Sequence, residues 1–130
     1  MKEGIKMTKP SEYHKQGYTC GEAIIKSYNE EHGTNIPVSL GSAMGTGFTV
    51  ASLCGAIGGA GAIIGIEKGR MSNEESNKAR TINRELMNSI NSQYNTTICK
   101  DLKKNKVSCA EIIDYTYENL KKVLNNEENL

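Results

Sequence analysis

Apolar residues recur in steps of three and four along most of this chain. The clearest stripe is Ala79, Ile82, Leu86, Ile90 and Tyr94; a second is Ile112, Ile113, Thr116, Tyr117, Leu120, Val123 and Leu124. Both match the α-helical period, and no stretch alternates apolar and polar residues long enough to predict a strand. Start and stop signals divide the rest. Thr8, Lys9 and Pro10 open a short first helix ending near Gly17. The capping box Thr19-Cys20-Gly21-Glu22 opens a helix running to His32 and stopped by Gly33. Pro37 suits the first turn of another short helix, to about Met44. Ser72-Asn73-Glu74-Glu75 reads as a second box opening the longest helix, to about Tyr94. Thr97 caps a short turn carrying Cys99, a lysine-rich loop follows over 100–106, and Ser108-Cys109-Ala110-Glu111 is a third box. Residues 125–130 should fray. The expectation is an all-α fold, a compact helical bundle in a single domain over 1–130.

Glycine changes the picture in one place. Nine of the thirteen glycines lie between Gly41 and Gly69. The first three suit a turn; five of the rest fall in a helix predicted over 53–68, capped by Ser52. A helix-interior glycine costs about 1 kcal/mol against alanine, so close packing must compensate. Gly61 and Gly65 share a face, with Gly58 and Ala62 beside them, and that surface would let a neighbouring helix approach at backbone distance. This is the expected central helix.

Composition excludes several roles. At 130 residues with net charge +1, no Trp and one Phe, the chain has neither the field nor the stacking surface for nucleic acid. Residues 50–66 carry no charge and approach spanning length, but five glycines make them weakly hydrophobic, so no membrane span is expected. Residues 1–15 hold no apolar stretch of signal-peptide length, which predicts a cytoplasmic protein with reduced thiols. The glycosylation sequon at Asn95-Thr96-Thr97 then carries no weight.

Chemistry concentrates in the four cysteines, Cys20, Cys54, Cys99 and Cys109, spaced C-x33-C-x44-C-x9-C. No CxxC pair exists, so any shared site is assembled by folding. All four fall in predicted helix first turns, where unpaired N–H groups and the dipole favour a thiolate. Lysines 100, 103, 104 and 106 would lower the pKa of Cys99 and Cys109 further. His14 and His32 read as solvated, Tyr115 and Tyr117 as one rim and one core ring. No hydrolytic triad or spaced carboxylate pair is present.

The cysteines carry a resemblance. Cys54-Gly55-Ala56-Ile57-Gly58-Gly59 matches the CGAxxG motif of the C_GCAxxG_C_C family, named for redox activity, with Cys20 upstream and Cys99 and Cys109 downstream. The resemblance covers about 18–124; the turn over 41–50 is less glycine-rich than in the family.

It implies redox-active cysteines. The favoured expectation is thiol/disulfide exchange or electron transfer at one shared site with an unknown redox partner; as an enzyme, the protein would be a thiol-dependent oxidoreductase. Cys54, flanked by glycines, is the expected exposed, low-pKa attacker, and Cys99 and Cys109 the nearest pair. The rivals are an iron–sulfur cluster or Zn²⁺ bound by Cys20, Cys54, Cys99 and Cys109, and a purely structural four-cysteine domain. The residues leave open the choice among these, the substrate, and whether the protein is a homo-oligomer.

Overall fold

A computed structural model describes residues 8–128 of the chain. It is helical: α1 Pro10–Lys15, α2 Cys20–His32, a 3₁₀ turn Val38–Gly41, α3 Gly55–Lys68, α4 Lys78–Tyr94, α5 Cys99–Lys104 and α6 Cys109–Glu128. Among the described residues no strand forms; one antiparallel bridge joins Leu53 and Ile98. The all-α expectation holds.

The capping box at α2 forms as read. Thr19 Oγ1 accepts from the Glu22 amide at 3.1 Å, and the Glu22 carboxylate accepts from the Thr19 amide at 2.8 Å. The same groups hold the 3₁₀ turn: Thr19 donates to the Gly41 carbonyl at 2.7 Å, and Ser42 to Glu22 at 2.6 Å. The helix expected from Pro37 to Met44 is only this 3₁₀ turn, because its backbone is tied down onto the start of α2. At α6, Ser108 Oγ accepts from the Glu111 amide at 3.1 Å, while the Glu111 carboxylate takes the Tyr94 hydroxyl at 2.9 Å. That bond ties the end of α4 to the start of α6. α6 continues to Glu128, past the fraying expected at 125; residues 129 and 130 lie outside the described ones.

The Ser72 box does not start a helix. Ser72 Oγ accepts from the Glu74 amide at 3.3 Å, and Glu75 accepts from the Met71 amide at 2.8 Å, which closes a local turn. Residues 71–77 are all exposed, so a helix there would bury nothing. α4 begins instead at Asn77, whose side chain accepts from the Arg80 amide, just ahead of the stripe Ile82, Leu86 and Ile90. Each such buried Ile or Leu contributes on the order of 1.5–3 kcal/mol, so the three together outweigh the about 1 kcal/mol that a cap supplies.

α3 is central: it packs against α2, α4, α6 and the 3₁₀ turn. Its close-contact face is not the one expected. A side chain at Gly65 would meet nothing within 4 Å, and one at Gly61 only Asn83 Oδ1 at 3.6 Å. The tight face is Gly55 and Gly59. A Cβ at Gly59 would lie 3.0 Å from both the Cα and the carbonyl oxygen of Gly21, and one at Gly55 would collide with the Met44 carbonyl. The pairing of Gly59 with Gly21 brings α2 and α3 together at backbone distance. Gly61 and Gly65 share a helix face as the spacing requires, but α3 turns that face outward.

Two substitutions separate the faces. Gly59→Leu must force α2 and α3 apart and should cost about 1–3 kcal/mol or more. Gly65→Ala meets no neighbour and should stabilise by about 0.5–1 kcal/mol through helix propensity. Urea denaturation of both variants checks the pair; equal effects would contradict the assignment of faces.

Candidate functional site

The four cysteines stand at four helix starts. Cys20, Cys99 and Cys109 are the first residues of α2, α5 and α6, and Cys54 is the N-cap of α3. Neither Ser52 nor Thr97 caps as expected. Ser52 lies outside the helix, Ile98 precedes α5, and the Thr96 hydroxyl accepts from the Ile98 amide at 3.1 Å. The segment expected as a lysine-rich loop is largely α5 itself.

Three local devices bring these starts together. The approach of α3 to α2 sets Gly55 against Cys20: a Cβ on Gly55 would be 3.3 Å from Cys20 Cβ. The bridge at Leu53 and Ile98 joins the next pair, with the Cys54 amide donating to the Thr97 carbonyl at 3.0 Å and the Cys99 amide to the Ser52 carbonyl at 2.7 Å. Finally, the chain turns sharply between α5 and α6, with Lys106 left-handed at φ 62° and the Val107 amide bonded to the Leu102 carbonyl at 2.9 Å. Cys99 and Cys109 thereby face the same space.

That space is a pocket of about 60 Å³ lined by Cys20, Cys54, Cys99 and Cys109, with Thr46, Gly47, Gly55, His14, Leu102, Lys103, Val107 and Ile112. All four thiols are free. Larger hollows lie elsewhere, including one of about 420 Å³ between α1 and α6, but none of those holds a cysteine. The volume admits a few water-sized groups.

Burial decides the electrostatics. Cys54 is 4% exposed, Cys20 8% and Cys99 9%, while Cys109 is half-buried. Desolvation pushes the Cys20 thiol up to about 12, with the neighbouring sulfurs, Cys54 foremost, adding to the rise. Burial likewise raises Cys54; the amides of Ile57 and Ala56 at the start of α3 act against it and lose. The expectation of Cys54 as an exposed, low-pKa attacker is therefore wrong. The helix start supplies only the few tenths of a charge found at any N-terminus, and removal from water outweighs it.

His14 was expected in solvent. It lines the cysteine pocket instead, with Lys103 the only other basic side chain there. A six-residue helix is marginal alone; α1 is fixed by Ser11, whose amide and hydroxyl donate to Asp114 of α6 at 3.0 and 2.6 Å, and by Tyr13, which donates to Glu30 of α2 at 2.6 Å. No local sequence signal marks His14, because only this tertiary docking turns it inward. His32 is exposed as expected, its ring stacked on Tyr28 at 4.1 Å. Tyr117 is buried and Tyr115 lies at the rim against Tyr94, also as expected.

The profile of the family described as Putative redox-active protein (C_GCAxxG_C_C) matches residues 18–123. The chain belongs to this family. No curated protein and no solved structure matches it. No helix among the described residues is long and apolar enough to cross a membrane.

The burial order makes a kinetic prediction. In reduced protein at pH 7–8, iodoacetamide should modify Cys109 well before Cys20 or Cys54. A raised thiol pKa keeps the unreactive, protonated form through neutral pH. The Cys20 rate should therefore keep rising about tenfold per pH unit past pH 9 rather than levelling off there. Residue-resolved mass spectrometry checks this; equal rates at all four cysteines would refute it.

Proposed function

We propose that this protein is a dithiol/disulfide redox protein whose four cysteines act as one site. The observation that supports this most is the convergence of four free thiols, from four separate helix starts, on one small pocket. The reaction class follows from thiol chemistry. The thiolate of Cys109, the least buried, attacks a disulfide of a partner; one partner sulfur leaves as thiolate and takes a proton. A second thiol of the site, Cys99 being nearest in the chain, displaces the remaining partner sulfur. The protein then holds a disulfide, the partner is a dithiol, and two electrons have moved. His14 and Lys103 line the same pocket; in this reading His14 takes the attacking thiol's proton and Lys103 adds positive charge near the developing thiolate. Cys20 and Cys54, protonated in the interior, supply the second pair.

Four thiols also form a donor set for a soft metal or an iron–sulfur cluster. Among the described residues, no three His, Cys, Asp or Glu side chains are gathered into a ready-made metal sphere. If a metal is bound, Cys20, Cys54, Cys99 and Cys109 would hold it, and it would supply electron transfer or a structural cross-link.

The test is a redox titration of metal-free protein in thiol buffers spanning about −300 to −150 mV, with free thiols counted by alkylation. The reading predicts reversible loss of two thiols in a first step and at least about a tenfold slower approach to equilibrium in Cys109→Ser. Four thiols that stay free throughout, in protein that purifies anaerobically with one bound metal or cluster, would replace this reading with the metal one.

A further inference from the structure

We propose that the turn over 46–51 is the gate of the cysteine site, a strained closed form whose local opening admits the reaction partner. It rests on the exchange reading only in assuming that something must reach the buried sulfurs. Three of the four thiols are nearly inaccessible, and the pocket has no room for a partner's disulfide. Some lining element must therefore move. Most of the lining is first turns of packed helices. The exceptions are His14 and Lys103 near the ends of α1 and α5, Val107 in the short turn after α5, and the segment containing Thr46 and Gly47, which alone of these carries a run of left-handed residues.

Its backbone is in the left-handed region at five of six positions: Thr46 (φ 53°), Gly47 (φ 58°), Phe48 (φ 56°), Thr49 (φ 77°) and Ala51 (φ 59°). Four of these are not glycine, and an L-residue pays a steric penalty there through its Cβ. Such a run persists only where its surroundings hold it. Here they do so at few points. The Ser52 amide bonds the Gly47 carbonyl at 2.7 Å, the Phe48 amide the Met44 carbonyl at 3.0 Å, and Thr49 Oγ1 the Ala43 carbonyl at 3.1 Å. Thr46, Phe48, Thr49 and Val50 are otherwise exposed, Val50 at 77%.

The closed turn covers the thiols directly. A Cβ on Gly47 would lie 2.5 Å from Cys99 Cβ, so the main chain itself rests on that side chain. The Phe48 ring lies over Gly58 in the first turn of α3, in space that any side chain at 58 would fill. Cys54 follows the turn by three residues. Strain therefore favours release of the segment, the ring and the main-chain bonds favour closure, and the balance sets how often Cys99 and Cys54 are exposed.

Glycine removes the strain without touching the pocket lining. In Ala51→Gly, which keeps the Thr49 bond to the Ala43 carbonyl, the closed turn should be favoured, slowing iodoacetamide labelling of Cys54 and Cys99 by about fivefold in fully reduced protein with chelator. Phe48→Ala, which loses the ring's contact at Gly58, should speed the same two sites. Cys109, half-buried on α6, should keep its rate in every variant. Unchanged Cys54 and Cys99 rates in the glycine variant would overturn the gate. So would equal slowing at all four cysteines, since access would then come from global unfolding. Neither a disulfide nor a metal takes part in this measurement, so it fails independently of the redox titration.

Discussion

Everything at the cysteine site depends on how closely α3 lies against α2. Gly59 touches the backbone of Gly21, and Gly55 leaves room for the Met44 carbonyl and Cys20. Without that approach Cys54 and Cys20 would be separated by a layer of side chains, as helices normally pack 8–10 Å apart. The other two thiols are then brought in from the C-terminal half of the chain. The bridge at Leu53 and Ile98 carries Cys99, and the turn after α5 carries Cys109. The CGAxxG spacing thus has a direct steric meaning. Its first glycine, Gly55, admits Cys20 and its last, Gly59, admits the backbone of Gly21; Gly58, at an open position of the motif, admits the Phe48 ring.

A second constraint is the conflict between position and burial. Helix starts stabilise anions, and all four cysteines occupy them. Three are nevertheless almost fully removed from water, and at Cys20 and Cys54 that removal dominates. The site therefore holds three buried thiols, Cys20, Cys54 and Cys99, of which burial keeps Cys20 and Cys54 neutral. Only Cys109 retains substantial contact with solvent. A division of this kind suits chemistry that begins at the surface and is completed inside.

The helices and the cysteines were legible because they rest on local rules. Thr19 with Glu22, and Ser108 with the Glu111 amide, are contacts within one turn, and the stripe from Ile82 to Ile90 reports burial directly. Convergence was foreshadowed by the cysteines standing at helix starts. What failed needed tertiary knowledge. Ser72 carries the same capping pattern as Thr19, but nothing apolar follows closely enough to reward a helix. Gly61 and Gly65 look as well suited to an interface as Gly55 and Gly59; the choice depends on how α3 rotates against α2. His14 reaches the pocket only because Ser11 and Tyr13 anchor α1. The left-handed run after Thr46 could not be read from residue types, since four of its five members disfavour it.

The central claim is spatial: four distant cysteines share one pocket. Sulfur anomalous diffraction from crystals of the reduced protein tests it most directly, because it locates each Sγ without reference to chemistry. The account predicts four cysteine sulfur peaks around a single small cavity, with Cys109 nearest to solvent. A sulfur enclosed by aliphatic side chains, with a helix between it and the others, would contradict it.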